Sequence, residues 1–166
     1  MILGMPVSTF TLIHVLISLV GILTGIVVVI GLCRNRRLSG WTGVFLVTTL
    51  LTSLTGFLFP LRAIGPPHIV GAVSLVLLIP CLLGLYMFKL VGNWRWIYVI
   101  TAVAALYLNV FVGVVQAFGK IGFLHALAPK GNEPPFAVAQ GVVLLLFVMI
   151  AVVGVRKFRP RPMLTF

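Results

Sequence analysis

The chain has 166 residues, of which 61% are hydrophobic and only 8% are charged, and its formal net charge is +11. Because so few polar groups cannot cover a water-exposed surface, this composition excludes a soluble globule and predicts a polytopic membrane protein. The basic residues lie between apolar segments and at the C-terminus, and no RNA- or DNA-reading motif accompanies them. We therefore expect membrane lipid, and not nucleic acid, to be a partner.

Five apolar segments each approach the roughly 20 residues with which a helix crosses a bilayer. They are approximately Phe10–Leu32, Trp41–Phe59, Ile69–Phe88, Ile97–Phe118 and Pro135–Val155. The loops between them are short except for the last, and no repeat or second domain is visible. The sequence therefore predicts an all-α fold, a single bundle of five transmembrane helices that comprises residues 1–166.

The distribution of basic residues predicts the orientation of this bundle. With five spans, nine basic residues fall on one side: Arg34, Arg36, Arg37, Lys89, Arg95, Arg156, Lys157, Arg159 and Arg161. The other side has three: Arg62, Lys120 and Lys130. By the positive-inside rule the N-terminus is outside and the C-terminus is cytoplasmic. Trp41, Trp94, Trp96 and Tyr98 would then lie at the cytoplasmic boundary, where aromatic side chains are favoured.

Small and polar side chains predict which helix faces pack together. In the first span His14, Ser18, Gly21 and Gly25 follow at steps of four, three and four, so His14 should point into the bundle beside a small-residue face. In the second span, hydroxyl side chains form two neighbouring rows: Thr48, Thr52 and Thr55, and Thr49 and Ser53. Pro80 should bend the third span because it removes a backbone hydrogen bond.

A polar stripe runs along the fourth span and leads into the longest polar connection. The stripe consists of Ala105, Asn109, Gly113, Gln116 and Lys120, spaced by three or four residues. A buried amide without a partner costs about 1–3 kcal/mol, so this stripe should face other helices or a wet cavity. In the connection, Pro129 should end a short helix, and Pro134-Pro135 suits the first turn of the next.

With this topology the reactive side chains gather at the extracytoplasmic end of the bundle. We interpret them as a candidate ligand-binding cluster: His14, His68, Asn109, Gln116, Lys120, His125, Glu133 and Gln140. Each also has a structural explanation, such as hydrogen bonding between helices, or, for Glu133, an interaction with the dipole of the next helix.

Several functions remain open for this cluster. His14 and His68 are the pair placed to ligate a haem b iron, as part of haem or quinone redox chemistry. His14, His68, His125 and Glu133 offer ligands for zinc or copper, although their spacing is not diagnostic. A polar path along the fourth span suits transport or binding of a small or lipophilic molecule. Catalysis is disfavoured, because Glu133 is the only acidic residue and no G-x-S-x-G element precedes a helix.

The remaining possibility, which we favour, is a non-catalytic accessory or binding subunit that packs with another membrane protein, with a second copy of itself or with lipid. The segments GNWRWIYVITAVAALYLNVFVGVVQAF and LHALAP, followed by EPPFAVAQG, resemble a group of small polytopic bacterial inner-membrane proteins with no assigned activity. The resemblance extends over approximately Gly56 to Arg159. It implies a bacterial inner membrane and no particular activity.

Overall fold

The computed structural model describes residues 1–59 and 66–159, and of residues 66 and 67 it describes the backbone only. In these ranges the chain is helical over 81% of its length and contains no strand, which confirms the all-α prediction. The helices are α1 (Val7–Cys33), α2 (Ser39–Gly56), α3 (Pro66–Leu82, continued by a π-helical turn, Leu83–Met87), α4 (Trp94–Lys120), α5 (Gly122–Leu127) and α6 (Pro134–Lys157).

Four helical segments are long and apolar enough to cross a membrane, as in a multi-pass membrane protein. They are Val7–Cys33, His68–Met87, Trp94–Lys120 and Pro134–Lys157. The helix α2 is shorter, with 18 residues, and is rich in hydroxyl side chains. Four of the five predicted spans therefore have the length and composition that crossing requires.

Prolines define several helix boundaries. Pro6 precedes α1, and Pro134-Pro135 occupies the first turn of α6, where a missing backbone N–H costs nothing. The short helix α5 ends before Pro129, as the sequence predicts. Pro80 lies inside α3, and the backbone changes from α to π geometry at Leu83, one turn later. The predicted bend at Pro80 itself stays a prediction.

The helix α4 is the centre of the bundle. It packs against α1, α3 and α6, while α2 lies mainly between α1 and α3. The hydrophobic core is concentrated where the C-terminal halves of α1, α3 and α6 meet the N-terminal halves of α2 and α4. Its members include Val28, Phe45, Leu78, Val99, Leu106 and Phe147. One end of the bundle is therefore the tightly packed one.

That same end carries the basic loops, and hydrogen bonds fasten them together. The Arg95 guanidinium at the start of α4 donates to the carbonyl oxygens of Val155 (2.9 Å) and Phe158 at the end of α6. The Arg159 backbone N–H donates to Asn35 Oδ1 at 2.7 Å. We call this end the basic end and the opposite one the outer end.

Tyr98 differs from its predicted role as a boundary aromatic. It is only 2% exposed, and its ring lies 6.2 Å from that of Phe158, which is also buried. Trp41 and Trp96, by contrast, are exposed as boundary residues should be. The difference arises because α4 begins at Trp94, so that Tyr98 is already in its second turn and faces the core.

Candidate functional site

The polar faces predicted for the first two spans meet in one interface, which we call the α1–α2 seam. Its members are His14, Ser18, Gly21 and Gly25 on α1, facing Thr55, Thr52, Thr48 and Phe45 on α2. A Cβ on Gly21 would lie 3.2 Å from Thr48 Oγ1, so this glycine allows a close approach of the two helices. The prediction that His14 points into the bundle is thereby confirmed.

A hydrogen bond to Thr55 holds the His14 ring against α2. His14 Nδ1 lies 2.7 Å from Thr55 Oγ1, and the same hydroxyl lies 2.7 Å from the Leu51 carbonyl oxygen. The edge of the ring packs against Phe59, with ring centroids 5.2 Å apart.

Asn109 joins α4 to the middle of this seam. Its side-chain amide donates to Thr49 Oγ1 at 3.1 Å, and Thr49 is fully buried. On the other side of α4, the Gln140 amide of α6 donates to the Phe111 carbonyl oxygen at 3.2 Å. The Gln140 Oε1 atom is buried and has no hydrogen-bond partner among the described residues.

The polar stripe of α4 is only partly buried. Ala105 is fully buried, and a Cβ on Gly113 would contact Ile22 of α1 at 3.6 Å. Beyond that level Gln116 and Lys120 are exposed. The stripe therefore faces other helices as predicted as far as Gly113, and its last two members do not, because α4 continues toward the outer end past its contacts with α1.

His14 and His68 contact different residues near the end of α2. His14 contacts Thr55, whereas the His68 ring lies 6.0 Å from that of Phe57, which directly follows α2. Both His68 ring nitrogens are buried without a hydrogen bond to any residue that the structure describes. Ligation of a haem by this pair stays a prediction.

The four predicted metal ligands, His14, His68, His125 and Glu133, lie in different parts of the structure. Over residues 1–59 and 66–159, no group of three or more His, Cys, Asp or Glu side chains is close enough to hold a metal ion. His125 is exposed on α5, and Glu133 is engaged in its own loop. These residues do not combine into a metal site in the described part of the chain.

Glu133, the only acidic residue, closes the turn that leads into α6. Its carboxylate accepts from the Lys130 backbone N–H (2.9 Å) and from the Asn132 backbone N–H (3.1 Å). These amide donors, that of Lys130 above all, lower the pKa of the Glu133 carboxyl below its usual value. The carboxylate is thus a structural acceptor in the outer connection.

A cavity of about 220 Å³ lies between the outer ends of α4, α5 and α6. Val115, Phe118 and Phe136 supply apolar walls, and Phe118 meets Phe136 edge to face at 5.4 Å. His125 and Lys130 also line it. Lys130 was absent from the candidate residues predicted from sequence. The sequence feature that could have pointed to Lys130 is its position between Pro129 and Gly131, in a turn just after α5.

Comparisons with protein-family models, with curated proteins and with solved structures find no match to this chain. What the outer end offers chemically must therefore come from its own residues. Inside the bundle, His14, Asn109 and Gln140 hydrogen-bond to neighbouring helices. At the surface, two lysines and a histidine are exposed: Lys120, Lys130 and His125.

Proposed function

We propose that this chain is a five-span protein of the bacterial inner membrane, with the N-terminus outside and the C-terminus in the cytoplasm. We propose further that it is a non-catalytic accessory subunit, which packs against another membrane protein through the exposed face of α6. The membrane and its bacterial origin follow from the resemblance of residues 56–159 to small inner-membrane proteins.

The position of α2 beside α1 supports five spans. The seam begins near Leu38, which packs close to Gly31, and reaches His14 and Thr55 at the outer end. The 18 residues of α2 form a helix about 27 Å long, close to the roughly 30 Å of a hydrocarbon core. If α1 crosses the membrane, α2 crosses beside it. Its hydroxyl groups do not prevent this, since Thr48, Ser53 and Thr55 donate to backbone carbonyls of their own helix.

The basic end supports the orientation. Arg95 and Asn35 fasten two basic loops to the end of α6, so positive charge from three separate segments gathers on one side. The outer end has fewer basic residues and the only carboxylate. Positive charge on this scale favours the cytoplasmic side.

The observation that carries the accessory role is the small share of α6 that the chain itself covers. Along its 24 residues the buried positions are Gln140, Phe147 and Gly154, each seven residues apart on one narrow side. The opposite side, which we call the α6 outer face, consists of Val138, Gly141, Val142, Leu145 and Met149. Val138 and Leu145 are 64% and 65% exposed.

Gly141 makes this face suited to a protein partner. A glycine inside a helix costs about 0.5–1 kcal/mol relative to alanine. Gly25 and Gly154 offset that cost by letting other helices approach, whereas a Cβ on Gly141 would have no atom of the described chain within 4 Å. The open space at Gly141 therefore allows a helix from outside the chain to approach closely. Lipid tails, which adapt to any apolar surface, do not need such a glycine.

Replacing Gly141 tests this role directly. Gly141→Leu fills the α6 outer face without touching the fold, so a stoichiometric membrane-protein partner that co-purifies with the wild type should be lost. Gly40→Leu is the matched control, because Gly40 also has open space around it but lies on α2 near the basic end. Native mass spectrometry of material extracted from its own membrane measures the assembly.

Retention of the partner by Gly141→Leu, or its equal loss from both variants, would contradict the role of this face. A wild type that carries only a second copy of itself would replace the accessory role by homo-oligomer formation.

A further inference from the structure

With the membrane topology proposed above, the cavity between α4, α5 and α6 lies at the depth where lipid headgroups meet acyl chains. The 27 residues of α4 make a helix about 40 Å long, which exceeds the roughly 30 Å hydrocarbon core. Its final turn, around Lys120, therefore reaches the headgroup layer. Val115 lies a little more than one turn below Lys120, so the apolar wall of the cavity borders the acyl region.

Basic side chains lie at this cavity. Lys130 and His125 line it, and Lys120 is exposed at the end of α4. The one acidic side chain, that of Glu133, is held by the backbone amides of Lys130 and Asn132. The lysine ammonium groups are therefore available to an anion from outside the chain.

Apolar side chains form the walls of the cavity and cover the adjoining helix α5. Val115, Phe118 and Phe136 form its walls, and the adjoining α5 exposes large apolar side chains, with Phe123 69% and Leu127 55% exposed. A short helix that combines exposed apolar side chains with nearby cations is suited to the boundary between headgroups and acyl chains. A ligand that fits this surface has an anionic head and an apolar tail.

We propose that this cavity binds an anionic phospholipid, with its phosphodiester against Lys130 and His125 and its glycerol and proximal acyl carbons against Phe118 and Phe136. Lys120, exposed at the end of α4, adds to the attraction for the phosphate. The site rests on the proposed membrane topology but not on the α6 outer face, so the lipid site and the protein partner can be contradicted independently of each other.

Competition between two lipids that differ only in headgroup tests the site. The purified chain is equilibrated in detergent micelles with equal amounts of dioleoylphosphatidylglycerol and dioleoylphosphatidylcholine, and bound lipid is counted by native mass spectrometry. We expect one preferentially retained phosphatidylglycerol. Each lysine near an anionic surface contributes about a fivefold change in affinity, so Lys130→Gln should weaken retention about fivefold, and Lys130→Gln with His125→Gln should weaken it further.

Lys157→Gln is the matched control, since it removes the same charge at the basic end of α6 and should retain the lipid. Equal retention of the two lipids, or unchanged preference in Lys130→Gln, would overturn the proposal. Displacement of the bound lipid by millimolar inorganic phosphate would assign the site to free phosphate instead. A protein partner retained in a Lys130-dependent manner, without lipid, would assign it to protein docking.

Discussion

Glu133 illustrates how one side chain organises the outer connection. Its two carboxylate oxygens accept from the backbone amides of Lys130 and Asn132, and α6 begins at the following residue. Because the charged carboxylate is the better acceptor, the pKa of Glu133 is lowered. The stabilisation of the turn is therefore fully present above the usual glutamate pKa and is lost as the pH falls through the lowered value.

This dependence predicts a pH effect confined to one turn. In the wild type, protection of the Lys130 and Asn132 amides against hydrogen exchange should be constant near neutral pH and decrease as the pH falls through the lowered pKa of Glu133. In Glu133→Gln, the protection should already be reduced at pH 7 and should not change with acidification. NMR exchange rates, divided by those of unstructured peptides, measure it.

The Leu90 amide, which donates to the Gly84 carbonyl oxygen, is the internal control and should behave alike in both proteins. Equal protection of the Lys130 amide in wild type and Glu133→Gln would show that the carboxylate does not hold this turn.

For single residues, the sequence predicts which way a side chain points better than it predicts the residue to which that side chain hydrogen-bonds. The spacing of His14, Ser18 and Gly21 correctly predicts that His14 points into the bundle. It does not identify Thr55 as the hydrogen-bond partner, because that pairing depends on the register of α2 against α1. Lys130 escaped prediction for a related reason: its position beside Phe118 and Phe136 is set by the turn after α5, not by a helical period.

At the scale of helices, small residues set the distance between α1 and its neighbours. A Cβ added to Gly25 would lie 2.5 Å from Leu106 Cδ1 and 2.9 Å from the Phe45 ring, and both side chains are fully buried. Both side chains would have to shift inside the buried core to admit this Cβ. Helical periodicity predicts the small-residue face of α1. How much of the polar stripe on α4 is buried depends on where the contact between α1 and α4 ends, and the 3.6-residue period does not give that position.

Gly25→Ala should therefore destabilise the bundle by about 1–3 kcal/mol, the usual cost of overpacking a core. Gly43→Ala is the matched control, because a Cβ at Gly43 meets no atom of the described chain within 4 Å. Its stability should be equal to or slightly above that of the wild type. Unfolding of both variants in mixed micelles with increasing sodium dodecyl sulfate compares them. Equal stability of the two variants would contradict the close packing of α1 on Phe45 and Leu106.

At the scale of the whole molecule, the bundle has two different ends. Arg95 and Asn35 fasten the basic end around a dense core that includes Tyr98, whereas the outer end presents polar side chains and a cavity. Hydropathy predicts the helices because apolar length is a strong signal, and it predicts their ends to within a few residues. Tyr98 shows what the sequence does not predict. Its position near the start of a span predicts a boundary residue, but only the packing of the helices determines whether its side chain faces lipid or core.

The proposed five-span topology places the basic end on one side of the membrane and the cavity proposed to bind lipid on the other, and labelling of introduced cysteines tests it most directly. In a background without Cys33 and Cys81, cysteines replace Arg36, Leu58 and Asn132, which are exposed in three different connections. Intact cells are treated with a membrane-impermeant maleimide. We predict that positions 58 and 132 are labelled and that position 36 is labelled only after permeabilisation. Labelling of positions 36 and 58 from the same side would show that α2 does not cross, and protection of position 132 in intact cells would reverse the orientation.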